Sequence, residues 1–342
     1  MGFVAKTEAI GHTGCVSSTK NTVRVVTLTP NPSMDVTVNV PVLKRGEVAR
    51  ISQTRKEAGG KGVNVAHACA KAGIRTTAIA PCAPSDPFAD VIRELPVQFH
   101  PVAIAASVRT NTAIVEDDAT TTKINEPGAR LCDDEKAAVE SAIDSVVADA
   151  EAVVLAGSLP PGVPTDWYAD LVERIRRVNA GALVAVDTSD APLQAIGERL
   201  DTSAPDVLKP NAFELAQLTG GDGTALERSA SEGDYAAIVS AAQTLIHHGA
   251  NEVLVTLGGA GACLVTRAGA WAATPPPVTV LSTVGAGDSS LAGYLMARIA
   301  GDEPAECLRR AVAYGSAAAS LPGTGIPSPS DIDLEHTHVF PV

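Results

Sequence analysis

The chain predicts an α/β fold, with a central, mostly parallel sheet flanked by helices and a small second β-sheet beside it. Three observations predict it. Short runs of Val, Ile, Leu and Ala alternate with amphipathic stretches of helical length over much of the chain, which is the rhythm of repeated β-α units. Hydrophobic residues make up 45% of the 342 residues and aromatics only 3%, so the core is aliphatic and suits buried parallel strands. Glycine clusters fall directly after several predicted strands, where the ligand sites of open parallel sheets lie.

Residues 23–28 (VRVVTL) form the first strand, ended by Thr29-Pro30-Asn31-Pro32. Residues 33–57 alternate in part through Val36, Val38 and Val40, with turn signals at Pro41 and Arg45-Gly46. They predict short strands outside the main sheet. A glycine-rich start at 58–62 opens a helix to about residue 72, stopped by Gly73. Residues 76–80 read as a strand, and 97–104 and 111–125 as further strands with a turn at Asp117-Asp118. The strands of 33–57 and 97–125 are assigned together to the small sheet, a lid over the crevice at the strand ends. Asp133 caps a helix over 134–148, which feeds a strand at 152–156. Thr165 caps a helix over 165–179; a strand at 182–187, a short helix near 191–199 and a strand at 206–209 follow. Helices from about 212 and over 234–248 lead to a strand at 252–257 and a hairpin of 261–267 with 270–274. Helices over 287–299 and 303–320 close the fold. The organisation is thus a loose tail at 1–21, one domain over 22–330 and a tail at 331–342.

The formal charge is −13, which argues against nucleic acid or an anionic membrane as a partner. Binding of phosphates then requires a local cluster of Lys, Arg and backbone N–H working against the global field. The cysteines at 15, 69, 82, 132, 263 and 307 lack metal-ligand spacing and read as small buried hydrophobes of a reducing, cytoplasmic protein. No apolar run reaches membrane-spanning length, and residues 1–21 lack the layout of a signal peptide.

Residues 282–293 (STVGAGDSSLAG) carry the sharpest signal. Small residues at a helix start leave N–H groups bare, and those donors with the helix dipole favour an anion. A carboxylate there repels phosphate unless it takes a proton from a hydroxyl that attacks the phosphate. Asp288 behind Gly285, Ala286 and Gly287 therefore suggests a kinase acting on an alcohol; the plainer reading is a glycine-rich turn that merely starts a helix. Gly59-Gly60-Lys61-Gly62-Val63-Asn64 is a second glycine-rich helix start, neither a Walker A loop nor a dinucleotide fingerprint. A flexible turn with a solvated Lys61 and a close backbone approach to a ligand, with Lys61 on phosphate and Asn64 on hydroxyls, are both open. Asp35 in NPSMD, Ser158 in GSLPPG, Lys209, Asn211 and Glu214 in KPNAFE, and Thr256 to Gly261 in TLGGAG also follow strands. Lys209 suits a nucleotide phosphate, with Asn211 and Glu214 toward metal-bound water. His67, His247, His248, Trp167, Trp271 and the run Asp133-Asp134-Glu135 read as packing or helix-end residues.

Together these motifs resemble the ribokinase-like carbohydrate kinase family, often called PfkB, over about residues 23–325. GGKGVNVA is similar to its first signature and STVGAGDSSLAGYL to its second. The resemblance implies a ribokinase-like fold, ATP and Mg²⁺ as cofactors, and Asp288 as base with Gly285, Ala286 and Gly287 as anion hole. It places Asp35, Gly59, Gly60, Lys61, Asn64, Arg109 and Ser158 on the sugar phosphate. Lys209, Asn211, Thr256, Gly258, Gly261, Ser282 and Thr283 fall on ATP, and Glu214 beside the metal, through water. Within the family the chain looks most like the phosphosugar branch. GGKG, Glu47 after Gly46, and the TTKINEPG stretch at 121–128 favour fructose 1-phosphate as substrate; tagatose 6-phosphate and fructose 6-phosphate are the alternatives, and a non-catalytic sugar-phosphate sensor the remote one. Relatives often dimerise through their lid sheets, so a homodimer is expected. The chain departs from the family at Pro81-Cys82-Ala83-Pro84-Ser85-Asp86-Pro87, where a glycine-rich turn is usual.

Overall fold

The computed structural model describes residues 25–118 and 120–342. The tail assigned to 1–21, the first two residues of the strand at 23–28, and Cys15 lie outside the described residues. The chain runs through β1 (Val25–Leu28), then leaves the main sheet for β2 (Ser33–Val40) and β3 (Gln53–Gly59). Helix α1 (Lys61–Lys71) returns it to β4 (Thr76–Cys82), and α2 (Pro87–Arg93) leads to β5 (Gln98–Ala103). A second excursion makes β6 (Arg109–Glu116) and β7 (Thr121–Asn125). Alternation follows with α3 (Asp133–Val147), β8 (Ala152–Ala156), α4 (Trp167–Val178) and β9 (Leu183–Asp187). Next come α5 (Asp190–Glu198), α6 (Leu200–Ser203), β10 (Val207–Leu208), α7 (Ala212–Thr219), α8 (Gly223–Ser231), α9 (Ala236–His247) and β11 (Glu252–Thr256). The hairpin β12 (Ala262–Thr266) and β13 (Gly269–Thr274) precedes α10 (Ala286–Ala300), α11 (Pro304–Ala319) and β14 (His338–Pro341).

The main sheet has ten strands in the order β14-β13-β12-β11-β10-β9-β8-β1-β4-β5. Pairing is parallel from β5 to β11 and antiparallel beyond. β1 lies between β4 and β8, with every residue buried, because its Val and Leu side chains meet helices on both faces. One face packs on α3, α4, α5, α7 and α9, the other on α1, α10 and α11. Each such buried aliphatic side chain contributes roughly 1.5–3 kcal/mol over its exposed state. The chain turns first toward β4 and later toward β8, so the crevice at the C-terminal end of β1 is where strand order reverses.

The small sheet has the order β3-β2-β6-β7. Its register puts Asp35, Thr37, Glu57, Arg55, Asn111 and Lys123 on one face, and Met34, Val36, Val38 and Ile114 on the other.

Five expectations are corrected. The strand expected at 97–104 is not part of the small sheet: β5 pairs parallel with β4 at the edge of the main sheet, because α2 supplies the crossover a parallel partner needs. The expected tail at 331–342 contains β14, which covers the edge of β13; pairing satisfies backbone groups that an exposed edge would leave open. Cys132 is exposed rather than buried, and it caps α3 in place of Asp133, with Glu135 Oε2 accepting its N–H at 2.9 Å. Asp166, not Thr165, precedes α4. In the unusual 81–87 stretch, Asp86 caps α2 by accepting from Phe88 N–H at 2.9 Å, and its other oxygen accepts Val108 N–H at 2.8 Å. The departure thus anchors the strand that carries Arg109.

Helices α10 and α11 touch where Gly293 has no side chain; a Cβ there would lie 2.6 Å from Arg310 O and 2.9 Å from Tyr314 Cβ. Gly293→Ala is expected to destabilise the fold by about 1–3 kcal/mol, the usual cost of overpacking. Chemical denaturation checks this; an unchanged midpoint would contradict the packing.

Candidate active site

Helix α10 begins at the crevice. Gly285 sits at its N-cap with φ 78°, a left-handed conformation that glycine adopts without strain. Ala286 N–H turns back to Thr283 O at 3.4 Å, and Ser289 N–H closes the first helical bond on Gly285 O at 2.9 Å. Among the described residues the N–H groups of Gly287 and Asp288 between them have no partner, at the positive end of the helix dipole. Asp288 is 7% exposed, and its Oδ2 accepts from Asn64 Nδ2 of α1 at 2.8 Å. Burial, with the nearby Asp187 charge adding to it, holds the Asp288 carboxyl above the ordinary carboxylate range.

Asp187 ends β9 and is fully buried. Its Oδ1 accepts from Lys61 Nζ at 2.7 Å, and Lys209 Nζ lies 3.1 Å from its Oδ2. Burial alone would push the Asp187 carboxyl up; Lys209 and Lys61 override it and hold it below its usual value. Burial works against the Lys61 charge as well, but Asp187, Asp288 and Glu214 raise its pKa above the usual lysine value. A Cβ on Gly287 would lie 3.3 Å from Lys209 Nζ, so this ammonium borders the unpaired amides. Lys61, which the resemblance put on the sugar phosphate, is turned to Asp187 in this structure.

On the sugar side, Asp35 Oδ1 accepts from Ser33 Oγ at 2.7 Å and from Asn111 Nδ2 at 3.1 Å. A Cβ on Gly59 would lie 2.2 Å from Asp35 Oδ2, so only glycine lets the second glycine-rich loop approach this carboxylate. Burial raises the Asp35 pKa, against the hydrogen bonds of Ser33 and Asn111 and the charge of Arg109. Arg109 Nη1 donates to Glu126 O at 3.4 Å, while its buried Nε has no partner among the described residues. Ser158 Oγ accepts from Asn31 Nδ2 at 3.1 Å, which also donates to Pro127 O at 3.0 Å. A cavity of about 600 Å³ runs under the small sheet, lined among others by Asp35, Asn111, Lys123, Ser282, Val284 and Thr324. Glu57 of β3 joins the sheet to the 322–325 loop, accepting from Thr324 Oγ1 at 2.6 Å.

On the other flank, Asn211 and Glu214 form a capping box on α7: Glu214 N–H donates to Asn211 Oδ1 and Asn211 N–H to Glu214 Oε2, both at 2.8 Å. The charge of Glu214 also adds to the proton affinity of Lys61. Asn211 bridges to Thr256 at the end of β11. Gly258 and Gly261 bound a short turn closed by Leu257 N–H on Gly261 O at 2.9 Å. Ser282 Oγ accepts from Val284 N–H at 3.2 Å, and Thr283 O holds Ala286 as above. Two groups of predicted residues thus meet at α10: the sugar-side set through Asn64, and Lys209 beside Gly287. Thr256, Gly258 and Gly261 gather on the β11 side with Asn211.

The model of the pfkB family of carbohydrate kinases matches residues 26–331. This chain belongs to the pfkB family of carbohydrate kinases. It is 36% identical to the 1-phosphofructokinase of Xanthomonas campestris pv. campestris over 296 residues, 85% of this chain and 89% of that one. It is 34% identical to the 1-phosphofructokinase of Rhodobacter capsulatus over 90% of this chain and 94% of that one. Among solved structures, Escherichia coli phosphofructokinase-2 in complex with potassium superposes with a TM-score of 0.80 at 30% identity, covering 90% of this chain and 96% of that one. The kinase is a phosphotransferase of the phosphofructokinase type with a ribokinase-like fold, and its family takes ATP as substrate.

Sequence reasoning missed three residues bonded to the candidate site. Asp187 ends a run of four apolar residues, LVAVD, and a carboxylate at the end of a buried parallel strand was the available signal. Asn31 and Asn111 lie within or beside motifs already singled out; nothing local marks their partners, which are 127 and 76 residues away.

The Asn64 amide stabilises the ionised form of Asp288, so Asn64→Ala is expected to raise the Asp288 pKa further. Carboxyl ¹³C shifts followed against pH check this; an Asp288 midpoint that stays or falls would contradict it.

Proposed function

We propose that the kinase transfers the γ-phosphoryl group of ATP to the free primary hydroxyl of a ketohexose phosphate, with fructose 1-phosphate the preferred substrate and fructose 1,6-bisphosphate the product. The observation that carries this reading is the Asp288 carboxylate, buried beside unpaired helix-start amides and an ammonium group. A carboxylate among anion-binding donors fits a group that takes the proton of a hydroxyl attacking a phosphate.

In this reading Asp288 accepts the hydroxyl proton as the oxygen attacks. The amides at the start of α10, with Gly285, Ala286 and Gly287, meet the charge on the transferred group. Asp35, Gly59, Gly60 and Asn64 orient the sugar hydroxyls. Arg109, whose buried Nε has no partner among the described residues, takes the sugar's own phosphate, with Ser158 beside it. Lys209, Asn211, Thr256, Gly258, Gly261, Ser282 and Thr283 hold the nucleotide. Among the described residues no three His, Cys, Asp or Glu side chains converge on a metal position, so Mg²⁺ would take most of its ligands from nucleotide phosphate and water, with Glu214 holding one of those waters. When bound, it neutralises phosphate charge. The small sheet excludes water over the cavity. Its other face, with Val36 and the exposed Ile124, supports pairing with a second copy.

The same chemistry on fructose 6-phosphate is the second reading, favoured by the superposition on phosphofructokinase-2. An ADP-release assay over fructose 1-phosphate, fructose 6-phosphate, tagatose 6-phosphate and unphosphorylated fructose decides between them. The expected result is the highest kcat/KM for fructose 1-phosphate; no turnover of any phosphosugar would sink the reading.

Asp288→Asn is expected to lower kcat by roughly 10²–10⁴-fold, the range for a general base, with little change in ATP binding. Near-normal turnover would remove Asp288 from the chemistry. Because Asp288 must be ionised to accept a proton and its pKa is raised, kcat should fall on acidification at a pH above the ordinary aspartate value of about 3.9. A kcat that stays level down to that value would contradict the base assignment. Light scattering is expected to give the mass of two chains, and a one-chain mass would contradict pairing.

A further inference from the structure

Asn31 stands between Pro30 and Pro32 in the loop after β1. Pro32 disfavours helical backbone at Asn31, and the residue is only 5% exposed. Its amide reaches two segments far along the chain. Nδ2 donates to Pro127 O, just beyond β7, at 3.0 Å, and to Ser158 Oγ, just beyond β8, at 3.1 Å. We propose that Asn31 is a positioning residue of the phosphosugar site: it leaves the Ser158 hydroxyl as a donor for the sugar's own phosphate and spaces Ser158 from Arg109. This assignment rests on the kinase reading above and adds to it a residue that acts through Ser158.

The proton count fixes the polarity of the bridge. A carbonyl oxygen can only accept, so the amide must face Pro127 O with its nitrogen. One N–H serves Pro127 O and the other serves Ser158 Oγ. The Asn31 oxygen lies on Gly128, where any Cβ would run into it. A flipped amide would set that oxygen against the Pro127 carbonyl. A hydroxyl has one proton to give. Ser158 Oγ accepts from Asn31, and among the described residues no acceptor takes its proton. That proton is free for an anion such as phosphate. A carboxylate in place of the amide would draw it away and leave lone pairs facing the phosphate.

The backbone beside Ser158 is already held. Gly157 N–H donates to Asp187 O at 2.9 Å, and Gly157 O accepts from Tyr168 Oη and Thr188 Oγ1, each at 2.9 Å. What Asn31 sets is therefore the hydroxyl. The spacing from Arg109 comes from neighbouring carbonyls: Arg109 Nη1 donates to Glu126 O at 3.4 Å, and Asn31 binds the next one, Pro127 O. Thr110 N–H on Glu126 Oε2 at 2.7 Å and Glu126 N–H on Thr110 O at 3.3 Å tie this stretch to β6. Two groups from distant parts of the chain are thus referred to two consecutive carbonyls, and for Ser158 the link is one amide. Arg109 brings charge and Ser158 a directional donor, a pair suited to phosphate.

The test uses the full-length wild type, Asn31→Ala, Asn31→Asp, Ser158→Ala, and Ser158→Ala joined to each Asn31 change. All are assayed with ATP and the phosphosugar that the wild type turns over best. Expected for Ser158→Ala and Asn31→Ala is a phosphosugar KM raised about 10-fold, as for loss of one hydrogen bond to a charged group, with kcat lowered less and KM for ATP unmoved. Asn31→Asp should raise the phosphosugar KM further than Asn31→Ala. Both double variants should stay close to Ser158→Ala, because a residue that acts through the Ser158 hydroxyl has nothing to act on once it is gone. Effects that multiply in the double variants, or an ATP KM that rises in step, would mark a merely structural residue and overturn the assignment. An unchanged phosphosugar KM in Asn31→Ala would do the same. If Asn31→Ala does not fold, the shape-matched Asn31→Asp carries the same comparison. A wild type inactive on every phosphosugar would instead overturn the function itself, and this assignment with it.

Discussion

One buried carboxylate between two ammonium groups is the constraint on which the rest of this structure depends. Asp187 has no contact with water, and an unpaired charge in that position would cost several kcal/mol. Lys61 and Lys209 compensate it, and they can do so only if α1, the end of β9 and the end of β10 converge. Removing one partner of such a pair costs about 3–5 kcal/mol; the share of Lys61 is the smaller, because a third of its side chain stays in water. The same carboxylate raises the proton affinity of Asp288. A single residue at a strand end thus holds two lysines in place and adds to the proton affinity of a candidate base.

The fold makes this convergence unavoidable. β1 stands where strand order reverses, and the chain leaves the C-terminal ends of its neighbours into loops that face one crevice. Two helices begin there, α1 and α10, each behind glycines that let backbone approach closely. Asn64 on one and Asp288 on the other are joined by a hydrogen bond, so the helix starts are fixed relative to each other. The loop after α11 completes the enclosure. Ile326 lies against Gly285, its carbonyl accepts from Lys71, and Thr324 ties to Glu57 of the small sheet. The small sheet and α10 are therefore linked through one loop.

Local features of the site were legible in the chain, and distant pairings were not. Both glycine-rich helix starts could be read because helix starts are set by neighbouring residues, and the loops after β8, β10 and β11 could be read because each follows an aliphatic run. The Lys61–Asp187 pair spans 126 residues, and no local pattern encodes it. The position of β5 failed for a related reason: an edge strand with exposed and half-buried residues looks alike in either sheet, and only its pairing with β4 decides. β14 was read as a tail because four residues with little burial carry no strand signal until β13 offers an edge. The partnership of Asn211 and Glu214 shows another limit: their spacing reads equally as a metal-water pair or as a helix cap, and the cap is formed.

The central claim is that this crevice moves a phosphoryl group from ATP to the hydroxyl of a ketohexose phosphate rather than to water. The most direct measurement is ³¹P NMR of the protein with ATP, Mg²⁺ and fructose 1-phosphate. The account predicts a new phosphate ester on the second primary carbon of the sugar, growing in step with ADP, with little inorganic phosphate. Release of inorganic phosphate from ATP with no new ester, or no consumption of ATP at all, would contradict it.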